Sequence, residues 1–261
     1  MRKLLTLMVV LLFWSCFIAC GGGGETESKK PSTQAAKPAP VTSGAYQSTA
    51  VTAGGTIAGK ATFAGAIPEK KKLQITKDAN VCGKETHYDE SIVVSGGKGL
   101  ANVVVKITNI SKGKEMAAGT YELDQNGCVF KPHVTLVPVD AELTIKNSDG
   151  ILHNIHTYSE SNQPINVAQP GFRKIMTQSF SDPEVVRVAC DVHNWMTGYI
   201  VVTDHPYYAI TDVDGNFELT NVPAGTYTLE FWQENLGKQT QEVTVEAGAT
   251  VEANVEFGVG S

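Results

Sequence analysis

The chain has 261 residues, of which 42% are hydrophobic and 18% charged, and a formal net charge of −6. That is long enough for one or two domains with real cores. An acidic balance without a basic stripe excludes nucleic acid as a partner, and plentiful glycine and threonine lean toward β structure.

Arg2 and Lys3 precede an apolar run from Leu4 to Ala19. The run is too short for an ordinary transmembrane helix and suits a signal h-region. It ends in Phe17-Ile18-Ala19-Cys20 ahead of four glycines, which resembles a bacterial lipobox with Phe17 where Leu is usual. The resemblance implies a lipoprotein signal peptide over 1–19 and a diacylated Cys20; Cys16 fits the pattern less well, and plain secretory cleavage near Ala19 is the alternative. Either way the protein is expected to be exported. Acyl chains on Cys20 would hold it stably to the periplasmic face of a bacterial membrane, the outer membrane being favoured by Gly21. Residues 20–53 are rich in Gly, Ser, Thr, Pro, Ala and Lys and cannot bury enough surface to fold. They are expected to form a tether, with a reach of roughly 30 Å as a flexible coil.

Beyond the tether, period-two alternation dominates. It predicts strands over Thr56–Phe63 and Ala101–Ile107, and around Val134, Leu136 and Leu143, Ile145 on either side of a turn at Pro138–Ala141. Val186, Val188 and Cys190 share one parity, so Cys190 is expected to point inward at the end of a strand. Farther on, Thr211-Asp212-Val213-Asp214-Gly215-Asn216-Phe217 reads as a strand, a tight Asp-Gly turn and a return strand. Strands over Gln241–Glu246 and Thr250–Phe257 follow, separated by Ala247-Gly248.

The stretch Cys190-Asp-Val-His193-Asn-Trp-Met196 sets a thiolate, an imidazole and a thioether within one short loop, and His153-Asn154 upstream offers a second imidazole. A trigonal His₂Cys set with a weak axial Met is the ligand field of a blue-copper electron-transfer site. Taken singly, Cys190 reads as a small buried hydrophobe, Met196 as core and His153 as an interior histidine. The joint spacing argues for metal.

The segment from about Gly127 to Thr203 resembles cupredoxins, with spacing similar to the amicyanin-like ones. The motifs that carry this are Asn147-Ser148-Asp149-Gly150-Ile151-Leu152-His153-Asn154, the ligand loop, and the strand Gly198-Tyr199-Ile200-Val201-Val202 after it. Asn194 stands where amicyanins often have Pro. The resemblance implies one type 1 copper with His153, Cys190 and His193 equatorial and Met196 axial, and Asn154 hydrogen-bonding across to the ligand loop. Zn(II) is the alternative occupant. His156 has the opposite parity to His153 and is expected to face away. Trp195 either packs over the site or joins an apolar docking patch around His193; the patch is the preferred reading. With Cys16 and Cys20 assigned to the leader and Cys190 to the metal, Cys82 and Cys128 remain as a disulfide candidate in an oxidising compartment. Two separate thiols are the alternative.

The pattern Thr211-Asp212…Asp214-Gly215…Phe217 with Pro223-Ala224-Gly225-Thr226-Tyr227-Thr228-Leu229 resembles carboxypeptidase regulatory-like (transthyretin-like) β-sandwiches. The opening strands of that family resemble Gly55–Ala61 and Leu100–Val105, far upstream. The expected architecture is therefore all-β and nested: a cupredoxin-like Greek-key barrel over 120–204, inserted into a regulatory-like sandwich made of 54–119 and 205–258. Two domains in series are the alternative. The expected function is a membrane-anchored one-electron carrier that exchanges electrons with an unidentified protein donor and acceptor through an exposed edge of His193. A copper-delivery protein, or a surface interaction module on a cupredoxin scaffold, is the alternative. One mononuclear site without a His-x-His group gives the expectation that the chain is not an enzyme.

Overall fold

The computed structural model describes residues 45–258, so the signal peptide, Cys20 and most of the tether lie outside the described residues. Among the described residues no helix is long and apolar enough to cross a membrane. The elements are almost all strands, apart from one helical turn at Ala79–Cys82.

Two β-sandwiches share the chain. In the first, a five-stranded sheet runs Asn166–Gln169, His153–Tyr158, Val185–Ala189, Thr197–Thr203, Val134–Pro138. It faces a four-stranded sheet of Ile175–Gln178, Leu143–Asn147, Tyr121–Gln125 and Phe130–Lys131. Alternation delivers one face of each strand to a core of Leu123, Phe130, Leu143, Ile145, Ile155, Val186, Val188 and Ile200. Each such side chain, fully buried, contributes about 1.5–3 kcal/mol. The two sheets stay open, so the Greek-key barrel expected here takes the form of a two-sheet sandwich. Its connections cross between sheets. Pro138–Ala141 does not join a hairpin: Val134–Pro138 pairs in parallel with Thr197–Thr203, while Leu143–Asn147 pairs in parallel with Tyr121–Gln125.

In the second sandwich, one sheet runs Tyr208–Ile210, Val104–Ile107, Gly225–Gln233, Gly237–Val245. The other is centred on Gly55–Phe63, flanked by Asn216–Val222 on one side and by Thr250–Glu252 and Val255–Phe257 on the other. Between them lie Ile57, Val105, Ile107, Leu229, Phe231 and Phe257, all fully buried. Gly59 is required where Ala253 crosses it, since a Cβ there would sit 1.9 Å from the Ala253 carbonyl oxygen. Val104, Val134 and Val201 form a third apolar cluster joining the outer faces of the two sandwiches.

Three local expectations change. The strand expected from Ala101 begins at Val104, because Asn102 takes a left-handed φ of 61°. The Asp214-Gly215 turn does not close a hairpin: Tyr208–Ile210 pairs with Val104–Ile107 and Asn216–Val222 with Gly55–Phe63, so the turn carries the chain from one sheet to the other. Residues 46–48, expected to belong to the tether, are held to the fold: Gln47–Ser48 pairs with Lys112–Gly113 and the Tyr46 hydroxyl donates to the Lys114 carbonyl at 2.7 Å.

Candidate metal centre

His153–Tyr158 and Val185–Ala189 are adjacent antiparallel strands with His156 opposite Ala189, which brings the start of the first and the end of the second together. His153 opens one strand. Cys190 continues the buried parity of Val186 and Val188 at the end of the other, and is 2% exposed. The loop that follows folds back on itself: Cys190 N–H donates to the Met196 carbonyl at 3.2 Å and Met196 N–H to the His193 carbonyl at 2.9 Å. A short, self-bonded loop thus fixes Cys190 and His193 with little conformational entropy left to lose.

The three donor atoms converge. Cys190 Sγ lies 3.8 Å from His153 Nδ1 and 3.9 Å from His193 Nδ1, and the two Nδ1 atoms are 2.9 Å apart. Both imidazoles are fully buried. Each points its other nitrogen at a carboxylate: His153 Nε2 at Asp149 Oδ2 (2.9 Å) and His193 Nε2 at Asp78 Oδ2 (2.9 Å). Such partners assign the proton to Nε2 and aim the Nδ1 lone pair inward, an arrangement that orients histidines bound to metals. Two buried imidazole nitrogens 2.9 Å apart need a proton or a metal cation between them. With a thiolate as third donor, the set suits a first-row transition metal that accepts nitrogen and sulfur. His153, Cys190 and His193 could therefore hold a metal ion. Cys128, Asp149 and His153 also converge, but the Cys128 sulfur is joined to Cys82 and Asp149 already serves the imidazole.

The same groups perturb one another's protonation. Burial alone would raise the Cys190 thiol pKa, but hydrogen bonds from His153 and from the Asn154, His193 and Val192 backbone hold it below the usual range. Burial alone would lower His153, yet Asp149 and Cys190 beside it carry its pKa to about 8. His193 is lowered, first by burial and then by the positive charge of His153, with Asp78 opposing. Asp149 stays ionised well below the usual range: burial opposes this, but His153 and the N–H groups of Cys128 and Gly127 outweigh it.

Met196 is 1% exposed and lies in the core of the first sandwich. Asn154 Oδ1 accepts the Asp191 N–H at 2.6 Å, and its Nδ2 donates to Asp191 Oδ2 at 3.0 Å. It therefore spans from the His153 strand to the ligand loop. His156 faces outward and binds the Asp191 carboxylate at 3.0 Å. Cys82 and Cys128 are joined as a disulfide.

One expectation needs correction. His193 has no exposed edge: the ring is closed in by Asp78 and by Trp195, whose ring centroid is 5.1 Å away. Trp195 packs beside that ring. It is half-buried, and its indole N–H donates to the Cys128 carbonyl at 3.0 Å, making it a wall of the site. The residues that sequence reasoning missed are the two carboxylates. Asp149 lay within the quoted motif without a role, four residues before His153; Asp78 carried no local signal.

Residues 198–258 match the family model of the carboxypeptidase regulatory-like domain. The C-terminal part is thus similar to that domain. The matched range of this domain opens within the strand Thr197–Thr203, ahead of the expected boundary at 205. No curated protein matches the chain. Among solved structures, the chain is similar to a copper-containing nitrite reductase from Thermus scotoductus SA-01, at 20% identity over 34% of this chain and 24% of that one, TM-score 0.31. The chain thus spans about a quarter of that enzyme. It is also similar to a purple cupredoxin from Nitrosopumilus maritimus (19% identity, 31% of this chain and 98% of that one, TM-score 0.27) and to a reduced Cu(I) form of an amicyanin mutant (20%, 34% and 87%, TM-score 0.30). Alongside the regulatory-like domain, the cupredoxin resemblance is thereby also found. The exclusion of an enzyme does not stand, because an enzyme is among the proteins this chain is similar to.

Proposed function

We propose that the first sandwich binds one copper ion through His153, Cys190, His193 and Met196 and carries single electrons. The observation behind this reading is the buried triangle of two Nδ1 atoms and one Sγ, with both Nε2 atoms held by carboxylates. Bound copper would supply a one-electron Cu(II)/Cu(I) couple at a soft, three-donor site with a weak thioether. The chain's own part is to hold the geometry. Asp149 and Asp78 fix the rings, the Cys190–Met196 loop fixes the sulfur, and the surrounding core excludes water. A donor set held this firmly moves little when charge changes.

Delivery of copper to another protein calls for an accessible site, whereas here the three donor residues are at most 2% exposed; carriage is therefore favoured. Potentiometric titration of the copper-loaded protein tests the reading. One reversible one-electron step is expected, and loss of the metal on reduction would contradict it.

We also propose the nested domain order, with 120–204 inserted into the regulatory-like part. Its support is that Gly55–Phe63 and Val104–Ile107 both pair with strands that follow Tyr207. The segment around Cys82 departs from it, since Ile75, Val81 and Cys82 pack into the core of the first sandwich. The proposed setting is the periplasmic face of a bacterial outer membrane, reached through lipid on Cys20, with protein donors and acceptors of electrons. Incorporation of labelled fatty acid that is lost in Cys20→Ser tests the anchor.

A further inference from the structure

We infer that Asp78 is a positioning residue for His193, held over the metal centre by the Cys82–Cys128 bridge; this rests on the reading that the centre takes a metal. Asp78 comes from the segment between Gly55–Phe63 and Val104–Ile107, 115 residues before His193 in the chain. Its carboxylate lies 2.9 Å from His193 Nε2, the nitrogen that faces away from Cys190 and His153. Without Asp78, a fully buried ring would keep an N–H with no acceptor.

The local structure around Asp78 leaves its side chain uncommitted. It precedes the turn Ala79–Cys82, where an aspartate ordinarily caps the backbone N–H groups with its side chain. Here it makes no such bond, and its backbone sits in the left-handed region at φ 49°, ψ 40°. Its side chain, released from capping, is the one that reaches His193.

The bridge makes the arrangement a single unit. Cys82, four residues after Asp78, is joined to Cys128. Cys128 N–H donates to Asp149 Oδ2 at 2.8 Å, and its carbonyl accepts the Trp195 indole at 3.0 Å. One disulfide therefore anchors the carboxylates behind both imidazoles and the indole packed on His193. A carboxylate behind a ligating imidazole raises its basicity, which favours the more highly charged state of the metal.

The test uses the full protein with Asp78→Ala and the near-isosteric Asp78→Asn, each loaded with Zn(II) for NMR and with copper for titration. In the Zn(II) form of the native protein, the His193 Nε2 proton is expected to exchange slowly with solvent. Asp78→Ala is expected to make it exchange fast, and Asp78→Asn, whose carbonyl still accepts, to keep it protected. Cu(II) affinity in Asp78→Ala should fall by about 10- to 100-fold, and the reduction potential should rise by about 59 mV for every tenfold loss that Cu(I) does not share. Asp78→Asn should also raise the potential, since it removes the charge and keeps the hydrogen bond. Unchanged proton exchange or an unchanged potential in Asp78→Ala overturns the inference while leaving the copper reading intact. A native protein that binds Zn(II) with an Asp78-dependent proton but takes no copper overturns the copper reading and supports the inference. A protein that binds neither metal overturns both.

Discussion

The two sandwiches are built by the same alternation of strands, yet they treat buried polar residues differently. The second sandwich keeps few, and each is tied to nearby backbone: Thr211 Oγ1 donates to the Leu100 carbonyl at 2.7 Å and Gln233 Nε2 to the Ser91 carbonyl at 2.6 Å. The first concentrates them at the end that holds His153. Gln125 donates to Gln169 at 2.7 Å, and Asn147 donates to the carbonyls of Ile151 and Gln169 at 2.8 and 2.9 Å. Gln169 is in register with His153. Buried amides of this kind are expensive unless fully bonded, so their gathering beneath one histidine marks where packing is subordinate to function. One sandwich buries few polar groups, and the other gathers them at the candidate site.

The largest perturbation that separates the two is loss of the bridge. The Cys82–Cys128 disulfide closes a loop with a sequence separation of 46, for which the chain-entropy account gives about 4 kcal/mol. A Cys82→Ser/Cys128→Ser protein should lose about that much in denaturant unfolding. Metal affinity should fall with it, because Asp78, Asp149 and Trp195 all hang on that bridge. Unaltered metal affinity would show that the bridge serves stability alone.

The converse experiment strikes the second sandwich. Gly59→Ala puts a methyl group against the Ala253 carbonyl, which is backbone and cannot swing aside. A loss of about 1–3 kcal/mol is expected, with the visible spectrum of the copper-loaded protein unchanged. A changed spectrum would mean that the second sandwich shapes the site.

A smaller, pH-dependent effect belongs to the far end of the first sandwich. Glu184 accepts N–H groups from Glu160, Ser161 and Asn162 and the Asn162 side-chain amide. Burial opposes ionisation there, but these donors hold its pKa below the usual carboxylate range. A depressed folded pKa contributes stability that is present above the unfolded value and lost as pH falls through the folded one. As pH falls through and below the ordinary glutamate range, the native protein should therefore lose stability more steeply than Glu184→Gln, as thermal unfolding at several pH values would show. Parallel curves would contradict it.

Much of this was legible in the sequence because it is local. The parity of Val186, Val188 and Cys190 predicts an inward thiol, and the Cys190–Met196 loop puts three donor groups within reach of each other whatever the rest of the fold. What was not legible depends on distant pairing. Asp78 meets His193 across 115 residues. A crossing between sheets at Asp214-Gly215 has the same residues as a hairpin turn. A strand as short as Gln47–Ser48 has no periodicity to read. The burial of His193 was misjudged for the same reason, since the groups that cover it come from a segment with no signal of its own.

Titration of the purified protein with Cu(II), followed by visible absorption and run beside Cys190→Ser, tests the central claim most directly. The account predicts one equivalent bound with the intense thiolate-to-copper band of a blue site, and no such band in Cys190→Ser. A band that survives the substitution, or a native protein that takes up no copper at these residues, would contradict it.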